Sequence, residues 1–455
     1  MKILQISTYD KGGGAEAVAW ELFSAYRRRG HLSRMAVGDK RTGDSDVTTF
    51  PLDERRWPVR LSRRLAPYEG RIRGAWRLRR WLELYAAYPP AWVQSRLGRE
   101  NFNFPETWRL FQQMENQPDV VHCHNLHGGW LTRGGYFDLR MLPWLSRRVP
   151  TMLTLHDTWL LSGHCAYTLG CDRWKTGCGR CPDLSIYPAL ARDGTAHNWR
   201  MKQSIYDDSR LYIATPSRWL MRQVEQSMLA PAVIEGRVIP NGVDSAVFCP
   251  GRKDEARASL GLPQDAAILL FVANAAKQNI FKDYKTVEAC AIRVAARFRT
   301  RKVLLLVLGE ADETHVFDNG EIRCVPFQTQ RAVTARFYQA ADVYVHAAKS
   351  DTFPNTILEA LSCGIPVVAT AVDGIPEQVE EGRSGFLVPA GDADSMAAHV
   401  YRLLSTESLR AAIGRAAAER ASRLFGLDRQ VDAYLGWYGE MAARNQTKKE
   451  LAHAC

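Results

Sequence analysis

Three observations predict an α/β fold of two Rossmann-like, doubly wound domains facing a cleft. The chain opens on a short apolar strand, MKILQIS, followed by Gly12-Gly13-Gly14 and the amphipathic run AEAVAWELFSAYRRRGH. Strand, glycine turn and helix in that order begin a doubly wound sheet. A second set of apolar strands, AAILLFVAN, KVLLLVLGE and ADVYVHAA, starts past residue 265. Finally, 455 residues exceed one ordinary core and suit two domains of about 200 each. The expected limits are 1–238 for the first domain, 239–428 for the second, and 429–455 for a last helix and tail.

Composition agrees, with 46% hydrophobic and 24% charged residues, as in a soluble globular protein. MKILQIS is too short for a signal-peptide core. No apolar run approaches the roughly 18 residues that cross a bilayer. A cytoplasmic location is therefore expected.

Along the first half, PDVVHCHN is a second buried strand ending in His122 and His124. PTMLTLHD is a third, ending in His156 and Asp157, and LYIATPSRWL is a late one. Polar residues at the carboxyl ends of parallel strands face the ligand crevice. The second half opens around VIPNGVDSAVFCP and closes with PVVATAV, GFLVPAG and two helical stretches. A last helix lies around RQVDAYLGWYGEMAARN, and the tail KKELAHAC reads as frayed.

The net charge of +11 is uneven. Ten arginines lie between Arg55 and Arg80, opposed only by Glu69, interleaved with Trp57, Leu61, Leu65, Ile72, Trp76 and Trp81. Such a mixture suits an amphipathic segment on an anionic membrane, which would make the protein peripheral to the membrane's inner face. A solvated arginine-rich helix is the plainer alternative. No motif supports a nucleic-acid partner.

The most informative stretch is SDTFPNTILE, Ser350 to Glu359, continuing as ALSCGIPVVATAVDGIPE. Asp351 and Glu359 stand eight positions apart across a turn carrying Pro354 and Asn355. TILEALSC reads as a helix with Ile357, Leu358 and Leu361 at core spacing, broken by Gly364 and Pro366. A turn entering a helix offers unpaired N–H groups and a positive dipole end, which suits a diphosphate. Phe353, Pro354, Asn355 and Thr356 are therefore candidate donor ligands. Glu359, about two turns inside the helix, would accept from ribose hydroxyls, and Asp351 would reach hydroxyls beyond the phosphates. An isolated acid pair is more simply a helix cap plus an exposed glutamate. The pattern running on to GIPE favours a grip on a nucleotide sugar.

This segment resembles the acid-x7-acid signature of retaining glycosyltransferases of family four, which have the GT-B fold. The family has Glu at the first position, so Asp351 gives up about one methylene of reach, leaving a longer contact or one through water. The resemblance implies metal-independent transfer from a nucleotide-diphosphate sugar to a glycan, with the leaving phosphate taking the acceptor proton. It implies a glycine loop, Gly13 and Gly14, at the mouth of the cleft, and a last helix crossing back to the first domain. It places His124 near the reacting sugar and Lys282 on the donor diphosphate. The family's arginine in that turn is absent, and Lys277 is the best substitute. Two rival readings are a GT-B nucleotide-sugar epimerase and an inactive nucleotide-sugar-binding protein.

Two clusters invite a metal. His122, His124 and His127 are close in sequence, but alternate strand residues face opposite ways. One cleft histidine, His124, and no catalytic metal or cofactor are expected. Asp392 and Asp394 read as a helix cap. Cys165, Cys171, Cys178 and Cys181 fall within an insert, 164–182, with Cys178-Gly-Arg-Cys181 as a C-x2-C turn. They are candidate ligands of a structural zinc, with plain buried thiols as the alternative. In a reducing cytosol disulfides are disfavoured. A similar insert occurs in a bacterial polysaccharide subgroup of the family, which implies a lipid-linked glycan acceptor.

Overall fold

In the computed structural model each half of the chain is built on one seven-stranded sheet. The structure describes residues 1–454 except 51–56, 69–70, 83–88, 113–116, 129–130, 132–134 and 299–300. Arg55, Arg56 and Glu69 of the basic segment lie outside the described residues. The chain divides into two compact units, 1–216 with 220–239 and 433–455, and 217–219 with 240–432.

The first sheet contains β1 (Lys2–Tyr9), β2 (Leu32–Asp39), β3 (Val47–Thr49), β4 (Val120–Cys123), β5 (Thr151–Thr154), β6 (Leu211–Thr215) and β7 (Val233–Val238). Its order is β3-β2-β1-β4-β5-β6-β7, all parallel. The second contains β8 (Ala267–Val272), β9 (Val303–Leu308), β10 (Glu313–Phe317), β11 (Gly320–Val325), β12 (Val343–His346), β13 (Val367–Thr370) and β14 (Gly385–Val388). Its order is β10-β11-β9-β8-β12-β13-β14, with β10 the one antiparallel member, at an edge. In both sheets the order reverses beside the first strand, at β1/β4 and at β8/β12. Ligands of doubly wound sheets bind beyond the carboxyl ends of the strands at that reversal.

The unbroken apolar runs are explained by burial on both faces. Ile268, Leu270, Leu304 and Leu306 enter one core cluster, while Leu269, Phe271, Leu305 and Val307 enter another on the opposite face. The helix Ala393–Ser405 begins at Asp392, whose side chain accepts from Ser395 N, as expected of a cap.

Strands β2, β3, β7, β10 and β11 are additions to the expected set. Their apolar pattern is weak: β7 reads VIEGRV and is only half-buried. Its charges are used, since Glu235 and Arg237 pair with Arg444 and Glu440 of the last helix. That helix, Leu427–Ala454, corrects the frayed tail, because KKELAHA is composed of good helix formers. From Ala433 on it belongs to the first unit. There the Tyr434 hydroxyl lies 3.0 Å from Thr154 Oγ1, and Tyr438 meets His122 Nδ1 and Tyr26.

Candidate active site

In the second unit the polar residues collect past β8 and β12. The loop after β8 and the loop after β12 are stitched together by backbone bonds, Asp283 N to Ala347 O at 3.0 Å and Lys349 N to Phe281 O at 2.8 Å. That stitching brings together two residues far apart in sequence. Lys282 Nζ lies 2.5 Å from Asp351 Oδ2. His346, the last residue of β12 and fully buried, stands beside both, its Nε2 3.7 Å from Asp351 Oδ2 and 3.5 Å from Lys282 Nζ.

The loop carrying Asp351 is bolted from behind. Asp373 Oδ2 accepts from Asp351 N at 3.0 Å and from the Ser350 hydroxyl. Gly374 N donates to Asp351 O at 3.3 Å. A Cβ on Gly374 would stand 1.8 Å from Thr352 O, so only glycine allows this approach. Burial alone would raise the Asp351 carboxyl, but the Lys282 charge and His346 overcome it and hold it at about 2.

Glu359 sits in a contrasting environment. It is the fifth residue of the helix Asn355–Ser362, so it lies about one turn inside rather than two, because the helix starts at Asn355 itself. Its Oε2 accepts from the Tyr338 hydroxyl at 2.8 Å. Burial pushes its carboxyl up to about 7, and the Tyr338 hydrogen bond and Arg331 charge pull it only part of the way back. Pro354 precedes the helix with no side-chain cap on the first N–H groups. Asn355 Oδ1 accepts from Asn241 Nδ2 at 2.9 Å, and Thr356 is half-buried in the same first turn.

Two expected donor ligands are placed otherwise. Phe353 is a core residue, 4% exposed and edge-on to Phe425 at 5.9 Å; an aromatic ring beside buried Ile357 is better packed inward. Lys277 pairs with Glu313 on β10, and its N–H donates to Glu310 Oε2 at 2.9 Å, a different set of partners from those of Lys282.

In the first unit Gly13 caps the helix Gly14–Arg28 with no side-chain bond. A Cβ at Gly13 would be 3.0 Å from Glu16 Oε2. His124 follows β4, its N–H bonded to Ile6 O at 2.9 Å. In the amide orientation that satisfies both ends of Gln5, the Gln5 nitrogen donates to His124 Nε2 at 3.2 Å. His124 Nδ1 then donates to His156 Nε2, 3.3 Å away. Burial, then the neighbouring His122 and His156, hold His124 neutral, well below the usual histidine range. Nearby, Asp157 Oδ2 is 2.8 Å from His127 Nε2, and His127 Nδ1 is 3.1 Å from the Tyr187 hydroxyl.

The four thiols of the cysteine insert lie within electrostatic reach of one another, since, after burial, the charges of Cys178, Cys181 and Cys171 each raise Cys165. Among the described residues no three His, Cys, Asp or Glu side chains are grouped to hold a metal ion. The thiols turn to separate partners: Cys178 Sγ accepts from Gly163 N at 3.3 Å, and Cys181 Sγ faces His164 Nε2 and Asp183 O. Cys165, Cys171, Cys178 and Cys181 are all free thiols, and burial pushes Cys165 up to about 12.

Sequence reasoning missed His346, Tyr338 and Asp373. For His346 a signal existed, a polar residue at the carboxyl end of ADVYVH. Tyr338 and Asp373 carry none, because sheet order alone brings them to the acid pair.

Comparison with known proteins gives a consistent set of matches. Residues 12–247 match the model described as Glycosyltransferase Family 4, and residues 266–406 match Glycosyl transferases group 1. The chain is 25% identical over 352 residues to a putative colanic acid biosynthesis glycosyl transferase, WcaC, of Escherichia coli K12, covering 74% of this chain and 80% of that one. It is 32% identical over 229 residues to a D-inositol 3-phosphate glycosyltransferase of Saccharomonospora viridis, covering 48% of this chain and 53% of that one. The fold resembles Anabaena HepE in complex with UDP, with a TM-score of 0.61 at 15% identity, covering 97% of this chain and 100% of that one. HepE has also been solved with UDP-glucose, and there the TM-score is 0.59 at 16% identity, over 96% of this chain and 99% of that one.

Proposed function

Because the chain belongs to glycosyltransferase family 4 and has the GT-B fold, we propose that it moves a sugar from a nucleotide-diphosphate donor to a glycan acceptor with retention at the anomeric carbon. The observation that carries this reading is the group formed by Lys282, Asp351 and the uncapped start of the helix Asn355–Ser362. The helix N–H groups and the Lys282 ammonium take the donor diphosphate and stabilise its charge as it leaves. The Asp351 carboxylate accepts from a sugar hydroxyl. Glu359 accepts from the ribose hydroxyls.

Departure of the nucleoside diphosphate leaves positive charge on the anomeric carbon, as in the oxocarbenium-like states of glycosidases. An acceptor hydroxyl attacks from the same face, and its proton passes to the departing phosphate oxygen. The likeness to a colanic acid enzyme supports a role in polysaccharide assembly, and a UDP-linked donor is favoured by the HepE complexes. The test is incubation with UDP-, GDP- and ADP-linked hexoses with and without glycan acceptors. Transfer with retained anomeric configuration is expected; an inverted product, an epimerised donor or binding without turnover each defeats the reading.

The same reading extends to a lipid-linked acceptor at an anionic membrane. In and between the helices Trp57–Leu65 and Ala75–Trp81, Trp57, Ile72, Trp76 and Trp81 are 45–59% exposed. Arg60, Arg64, Arg71, Arg73 and Arg77 are exposed among them. Exposed tryptophan set among arginine is the chemistry of an anionic lipid surface. Co-sedimentation with anionic vesicles, weak with neutral ones and reversed by salt, is expected. Equal binding to both vesicle types, or none, sinks this part of the reading.

A further inference from the structure

Lys282 has two duties in the reading above, and only one is visible in the free protein. Its ammonium lies 2.5 Å from Asp351 Oδ2. A donor diphosphate would draw it away from that oxygen. Asp351 would then be a buried carboxylate without its cation, free to turn from the sugar. One side chain stands where it can take over.

His346 Nε2 is 3.7 Å from the same Asp351 oxygen, too far for a hydrogen bond while the ammonium occupies the near position. On its other side Nδ1 lies 3.1 Å from the Tyr344 hydroxyl, and Phe271 packs edge-on against the ring at 6.2 Å. Burial, then the Lys282 charge, hold the imidazole at about 4, so it is neutral and carries one N–H. A phenol donating to Nδ1 leaves that N–H on Nε2, facing the carboxylate. We propose that His346 is a positioning residue: when Lys282 turns to the donor diphosphate, His346 Nε2–H takes Asp351 Oδ2 and keeps the carboxylate aimed at the sugar. No proton changes hands, and a closure of somewhat under 1 Å brings Nε2 and Oδ2 to ordinary hydrogen-bond distance. The inference rests on Lys282 as a diphosphate ligand.

The test separates diphosphate binding from turnover. UDP, GDP and ADP are titrated by calorimetry, and release of nucleoside diphosphate from UDP-, GDP- and ADP-hexoses is followed for each variant. In His346→Leu the diphosphate Kd stays within about twofold, while kcat falls by roughly tenfold, the equivalent of about 1.4 kcal/mol. His346→Gln, whose amide N–H can reach Asp351, regains part of that loss. Lys282→Met weakens diphosphate binding itself; an unchanged Kd there removes the underlying reading, whatever His346 does. A folded His346→Leu protein with unchanged kcat overturns the proposal. So does an equal loss of diphosphate affinity and turnover, the mark of a merely structural residue. Should His346→Leu not fold, Tyr344→Phe, which removes the hydroxyl orienting Nδ1, is expected to give the same split at smaller size, and unchanged kcat in it overturns the proposal as well.

Discussion

Asp351 and Glu359 belong to one short segment, yet their surroundings act on them in opposite directions. Asp351 faces an ammonium at 2.5 Å and an imidazole beyond it, and is ionised far below neutral pH. Glu359 faces a phenol at 2.8 Å, and burial brings its carboxyl up to about 7. Two carboxyls whose environments push their pKa values apart are built for different work. Asp351 is a permanently charged, already oriented acceptor. Glu359 is a site whose charge is completed by its ligand, because ribose hydroxyls donating to it favour the ionised form.

The sharpest way to break this contrast is Asp351→Asn. It leaves the Lys282 ammonium in a mostly buried position without its counter-charge, which costs about 3 kcal/mol of stability when a buried pair is halved. Urea unfolding reads that loss, and turnover falls by more than nucleoside diphosphate affinity.

Glu359→Gln comes next. Removing a charge-assisted acceptor lowers donor affinity by roughly 1.5–3 kcal/mol in calorimetry at pH 8. The effect shrinks as pH falls, because the wild-type carboxyl then becomes neutral too. Wild-type affinity is expected to rise with pH through about 7 while the variant stays flat, and binding near pH 6 releases a proton. Stability runs the other way. Between 4.5 and about 7 folded Glu359 keeps a proton that the unfolded chain has lost, so its contribution is whole below 4.5 and lost as pH climbs through about 7. For Asp351 the contribution is whole above 3.8 and lost as pH falls through about 2. A wild-type affinity independent of pH between 5 and 8 would erase the difference between the two acids.

The smallest effect is expected from Tyr338→Phe. It deletes one hydrogen bond to Glu359, worth about 1 kcal/mol. The midpoint of the affinity–pH curve should move upward, since that bond lowers the Glu359 pKa. A midpoint that does not move would show that the phenol is only a packing group.

The acid pair, Lys282 and the two-sheet plan were legible because each rests on local signals: a turn, a helix start, and apolar runs of strand length. What stayed hidden was set by strand order. His346 meets Lys282 because β12 lies beside β8, and Tyr338 reaches Glu359 because two helices share a core cluster. Neither adjacency has a trace in spacing along the chain. Phe353 shows the converse: its motif position says nothing of its packing, and its apolar ring lies in the core beneath the acid pair's loop. The cysteine insert adds backbone that its spacing does not announce, with left-handed turns at Gly177, Cys178, Gly179 and Arg180.

The last helix has a consequence for how the protein is made. His122, in the middle of the first sheet, finds its Nδ1 partner in Tyr438, 316 residues later. Thr154 waits 280 residues for Tyr434. At roughly 5–20 residues per second, a ribosome delivers that partner on the order of 15–60 s after His122. During that interval the nascent first unit lacks Tyr434, Trp437, Tyr438 and Met441, all fully buried in the finished protein, and the apolar surface they cover is open. It is the stage of synthesis at which a chaperone would find most to hold, and a message truncated before residue 433 would yield a chain that never leaves it.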